Sequence, residues 1–159
     1  MKEATSNQVD PKAVADMLII SPEHLCSVEV GLLDSHQLRL VEDSVHPGQC
    51  YNNALMTALA VGGDKVVLGA TFIDRFGLAV EHAWLQMPDG SYFDPTYQLL
   101  DDTYRPERDY QYFALWSVDV DDYLDAGERL RGVANMAIDF LALRTAPETR
   151  HLFEYRRSA

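Results

Sequence analysis

No run of apolar residues in this chain approaches the roughly 20 that a membrane-crossing helix needs. Near the start the longest unbroken one is Met17 to Ile20. The same region lacks the basic stretch followed by an apolar core that marks a secretory signal. A cytoplasmic location is therefore expected, with delivery to another cell by a specialised route left open. Positive charge is also scarce: 13 basic against 25 acidic side chains leave a net charge of -12. Such a surface repels phosphate backbones and anionic lipid, which excludes nucleic acid and membrane as expected partners. Cysteine is limited to Cys26 and Cys50. No paired-cysteine motif points to a structural metal, no cofactor is implied, and a domain of this size needs no disulfide. Repeats, low-complexity tracts and Pro/Gly/Ser linkers are missing too. Residues 1–9 read as a flexible tail, and 10–159 as a single domain. Nothing in the pattern speaks to oligomeric state.

What is present reads as α+β. Asp10-Pro11 supplies an N-cap and a first-turn proline for a short helix, and "SPEHL" opens another turn and helix start. Residues 27–42 partly alternate polar and apolar, with "LLDSHQL" as a turn between two short strands. Residues 50–61 are rich in Ala and Leu and predict a central helix, with Ala54, Leu55, Ala58 and Leu59 facing inward. Strands are expected at 65–73, 78–87, "SYFD" and 110–118, giving a small antiparallel sheet, and helices follow from Asp119 onward.

Three residue types suited to thiol chemistry occur in chain order: Cys50, His82 in "EHAWL" and Asp94 in "YFDPT". Cys50 falls at the start of the expected helix. The positive end of the helix dipole and the free N–H groups there favour a thiolate, and can also hold the oxyanion formed when it attacks a carbonyl. Turn chemistry links the other two. In "MPDGS", Pro88 and Asp89 suit the centre of a type I turn, and Gly90 the left-handed residue after it. That three-residue loop pairs Met87 with Ser91 and sets Asp94 opposite Trp84. His82, Trp84 and Asp94 then share a face, with His82 and Asp94 diagonal neighbours about 7 Å apart at Cβ. A two-residue loop on Asp89-Gly90 would place them on opposite faces. Asp94 would orient the ring, and His82 would take and return the proton of Cys50. Pro95 would end the strand and leave Asp94 at a rim.

"GQCYNNA", "EHAWL" and "DGSYFDPTY" together resemble the core of the papain-like and transglutaminase-like cysteine enzymes, over about residues 46–97. The resemblance implies a nucleophile helix packed on antiparallel strands. It implies Cys50 as nucleophile, His82 as general base and acid, and Asp94 as orienting residue. It also implies acyl transfer on an amide of a protein or peptide substrate: deamidation of glutamine, peptide or isopeptide hydrolysis, or transfer to an amine. Tyr51 stands where transglutaminases usually carry tryptophan. Gln49 is adjacent to the cysteine, closer than the papain-type oxyanion glutamine, so Gln49 and Asn53 are both candidate oxyanion donors, and Trp84 is expected as core or as a substrate-groove wall.

Other readings compete. A lone cysteine is often a small buried hydrophobe, and the fold could serve as a non-catalytic protein-binding module with an aromatic face. His46, Cys50, His82 and Asp94 contain zinc-ligand types, but "PG" between the first two breaks helical spacing. Tyr97, Tyr104, Tyr110, Tyr112 and Trp116 are expected either as core or as the lining of a groove.

Overall fold

The structure, a computed structural model, describes residues 8–129 and 139–154. Most of the expected tail and the first part of the helix expected from 133 onward lie outside them. Six helices, α1 (Pro11–Leu18), α2 (Ser35–Val41), α3 (Cys50–Val61), α4 (Pro95–Leu100), α5 (Val120–Arg129) and α6 (Phe140–Thr145), accompany six strands. The strands are β1 (Cys26–Val28), β2 (Val30–Gly31), β3 (Lys65–Ile73), β4 (Leu78–Gln86), β5 (Tyr92–Phe93) and β6 (Tyr110–Asp119). The architecture is α+β, but its sheet is neither small nor wholly antiparallel. All six strands join one sheet in the order β1-β6-β3-β4-β5-β2, and β2 runs parallel to β5. Among the described residues no helix is long and apolar enough to cross a membrane.

The long strands β3, β4 and β6 carry the core. On one face Val66, Leu68 and Ala83 pack with Ala54 of α3 and Phe140 and Leu143 of α6. On the other, Val67, Trp84, Tyr110 and Tyr112 form an aromatic layer. Gly69 makes that layer possible, because a Cβ there would lie 2.1 Å from the Phe113 carbonyl oxygen and 2.6 Å from the Trp84 ring.

Local chemistry decides the ends of these elements. Asp10 caps α1 by accepting from the Lys12 N–H at 2.9 Å, as the Asp-Pro pair predicts. α3 runs over the expected residues and stops at Gly62, whose φ of 79° is left-handed. Its buried stripe is rotated, however, to Asn53, Ala54, Thr57 and Ala58, and Leu59 is 48% exposed. The rotation follows from α2 and α4, which flank α3 and bury the side bearing Asn53.

Two expected strand regions behave differently. Where "LLDSHQL" predicted a turn between strands, Asp34 and Gln37 form a capping box at 2.8 and 3.0 Å, and α2 replaces the second strand. Pro95 does end β5, but it also becomes the first residue of α4, with Asp94 as N-cap. Gln98 of α4 then bonds both backbone groups of Leu33 at 2.9 Å, tying α4 to the segment leading into α2.

Candidate active site

The hairpin β4–β5 has the register that places His82 and Asp94 together. Leu85 pairs with Phe93 and Gln86 with Tyr92, and the Met87 N–H donates to the Ser91 carbonyl at 2.8 Å. Gly90 adopts φ 90°, as the bulge position of this loop requires. The Asp89 carboxylate accepts from both the N–H and the hydroxyl of Ser91, which closes the loop and pulls its own pKa below the usual range.

Asp94 is fully buried, and its carboxylate receives four donors. Oδ1 accepts from the backbone N–H groups of Thr96 (3.1 Å) and Tyr97 (3.4 Å), the capping bonds of α4. Oδ2 accepts from His82 Nε2 at 2.8 Å and from the Tyr112 hydroxyl at 2.7 Å. One carboxylate thus ends a strand, starts a helix and anchors an imidazole. Its position is fixed from β4, β6 and α4 at once.

Because Nε2 is engaged with Asp94, the other ring nitrogen of His82 is the one left for Cys50, whose influence also raises the pKa of the ring. β5 covers β4 only at Leu85 and Gln86. Among the described residues no strand pairs with the lower part of β4 on that side, and α3 packs against β4. Burial disfavours a charged His82. The charge and hydrogen bond of Asp94, with those of Cys50, override it and push the His82 pKa up to about 10. The charged form of the ring is therefore favoured, with Nε2 donating to Asp94. Its faces are held by aromatic rings: Tyr97 stacks at 4.4 Å between centroids and Trp84 at 6.2 Å.

The remaining expected residues take different places. Asn53 is buried, and both its amide hydrogens are committed, to the His46 carbonyl (2.9 Å) and to Thr96 Oγ1 (3.0 Å). Its carbonyl accepts from the His46 N–H at 3.0 Å. It pins the "HPGQ" loop to α3 and α3 to the Asp94 cap, and no hydrogen is left over for an oxyanion. Gln49 is the exposed N-cap of α3, and its side chain makes no capping bond. Trp84 is wholly buried, with its indole N–H unpartnered, behind His82 and against Tyr112 rather than along an open groove. His46 is exposed, and among the described residues no three of His, Cys, Asp and Glu are grouped to hold a metal ion. Cys26 is exposed on β1.

Tyr97, Tyr104, Tyr110 and Tyr112 do cluster, with ring centroids 4.8 to 6.5 Å apart. They form the layer behind His82 and Asp94. Trp116 does not join them. A bulge at Leu115 shifts β6 against β3 between Leu68 and Gly69, so Trp116 turns to the opposite face and packs with Leu68. The tyrosine hydroxyls that contact the site escaped the sequence reading because β6 reaches β4 only across β3. The Asp94-Pro95 pair, in contrast, was a readable signal for the start of α4.

No protein-family model, no curated protein and no solved structure matches the chain.

Proposed function

We propose that this protein is a cysteine-nucleophile acyl-transfer enzyme acting on an amide of a protein or peptide, through Cys50, His82 and Asp94. The observation that carries the reading is the buried His82 Nε2–Asp94 Oδ2 bond of 2.8 Å, which leaves the ring's second nitrogen free, together with a cysteine that begins a helix and acts on the same ring. It suits a papain-like or transglutaminase-like core.

In the proposed reaction His82 holds the Cys50 proton while the sulfur attacks the substrate carbonyl carbon. The oxyanion is met by N–H groups of the first turn of α3, which no side chain caps. Gln49, exposed beside the cysteine, is the available side-chain donor. As the tetrahedral adduct collapses, His82 gives its proton to the departing nitrogen, which leaves as ammonia or an amine, and a thioester remains. Water or a second amine then attacks the thioester. His82 takes the attacker's proton, and the acyl group leaves sulfur as an acid or a new amide. Asp94 keeps the ring in place and balances its charge through both halves. Among the amide reactions, glutamine deamidation and peptide hydrolysis are the forms we favour.

The test is to incubate the protein with a panel of unfolded protein substrates, with and without an added primary amine, and read them by mass spectrometry. Conversion of amide to acid, new chain ends, or amine incorporation, each lost in Cys50→Ala, supports the reading. No change to any substrate, alongside stable capture of one of them, would make the chain a binding module instead.

A further inference from the structure

Asp94 would complete a Cys-His-Asp set without help, yet a second side chain is built onto the same oxygen that receives His82. The Tyr112 hydroxyl donates to Asp94 Oδ2 at 2.7 Å, and both groups are buried. Tyr104 lies 2.6 Å from it, oxygen to oxygen. Since the Tyr112 hydrogen is spent on Asp94, Tyr104 must be the donor of that second bond. A directed chain therefore runs from Tyr104 to Tyr112 to Asp94, where it meets His82.

We propose that Tyr112 is a positioning residue of the site, holding the Asp94 carboxylate against His82 and drawing off part of the charge that the ring faces. The inference rests on the Cys50–His82–Asp94 reading above. The hydroxyl comes from β6, a long strand in the interior of the sheet, so its place does not depend on a loop. The groups facing Asp94 are His82 from β4, Tyr112 from β6, the Thr96 and Tyr97 N–H groups from α4, and the Tyr104 hydroxyl one bond behind. Those facing His82 are Asp94, Cys50 from α3, and the Tyr97 and Trp84 rings. Burial and the nearby Asp94 charge push the hydroxyls of Tyr97, Tyr104 and Tyr112 well above the ordinary phenol range, so the chain stays a set of neutral donors.

The direction of the effect follows. A neutral donor is worth more to a carboxylate whose cationic partner has gone than to one still paired, so Tyr112 eases the loss of the His82 proton. Without it, the full charge of Asp94 bears on the ring, and His82 keeps its proton to higher pH.

The experiment is the pH dependence of Cys50 alkylation by iodoacetamide in the wild type, Tyr112→Phe, Tyr104→Phe and His82→Ala. The inflection lost in His82→Ala marks the His82 proton. We expect it to move up by about half to one pH unit in Tyr112→Phe, and by less in Tyr104→Phe. A merely structural role would lower thermal stability and leave the inflection in place, and that result in both variants overturns the proposal. Should Tyr112→Phe fail to fold, Tyr104→Phe decides alone. If His82→Ala does not change the profile at all, the triad reading falls and this inference with it. If His82→Ala changes it and neither phenylalanine variant does, only the role of Tyr112 is refuted.

Discussion

Asp94→Asn is the sharpest perturbation of the buried pair. The new amide oxygen can still accept from the Thr96 and Tyr97 N–H groups, so the cap of α4 is kept. The NH2 that replaces Oδ2 cannot accept from His82 or from Tyr112. Burial then acts on the imidazolium with only the influence of Cys50 against it, and its charged form is strongly disfavoured in the folded state. In the wild type His82 is raised from 6.5 to about 10. Its contribution to stability is therefore complete below about pH 6.5, declines as pH rises, and is gone above about pH 10. One such group sets a limiting slope of about 1.4 kcal/mol per pH unit. Removing one member of a buried pair costs about 3–5 kcal/mol. Urea unfolding, followed by the fluorescence of Trp84 and Trp116, should show Asp94→Asn less stable by about that amount near pH 6. The gap should narrow steadily toward pH 10. Two parallel curves, with the same gap at both ends, would refute the reasoning, because the cost would then come from packing and not from the charge on His82.

Other substitutions probe the frame around the site. Ile19 is a β-branched residue at φ 56° and is 56% exposed; Ile19→Gly should raise stability by about 0.5–1 kcal/mol in a thermal melt, since the left-handed strain outweighs the extra freedom of glycine in the unfolded chain. Gly69→Ala drives a methyl group into the Phe113 carbonyl and the Trp84 ring, so it should cost about 3 kcal/mol or more by urea unfolding. Asn53→Ala leaves the His46 backbone groups and Thr96 without their partner. It should cost about 2–4 kcal/mol and slow alkylation of Cys50, because the first turn of α3 is no longer tied to the Asp94 cap.

The sequence was most informative where chemistry is local. The "MPDGS" loop contains its own register, so the closeness of His82 and Asp94 could be worked out from five residues and the period of a strand. The helix at 50–61 was legible from composition and its terminal glycine. Where contacts come from elsewhere in the chain, the reading stopped short. The face that α3 buries is chosen by α2 and α4, which put polar Asn53 and Thr57 inside and Leu59 outside. The bulge at Leu115 removes Trp116 from the tyrosine layer, and no local signal marks it. Tyr112 lies 18 residues from Asp94 and reaches it only because β6 pairs with β3. The helices α2 and α4 are a different case, since Asp34 with Gln37 and Asp94 with Pro95 are ordinary start signals, masked by the alternating pattern around the first and by the strand that proline ends before the second.

The most direct test is competition between the two cysteines for iodoacetamide at neutral pH, read by peptide mass mapping. Exposure alone favours Cys26, which lies open on β1, over the partly buried Cys50. The account predicts the reverse: Cys50 labels much faster, and His82→Ala slows Cys50 while leaving Cys26 unchanged. Equal rates, or a faster Cys26 and no effect of His82→Ala, would contradict the claim that Cys50 is a nucleophile.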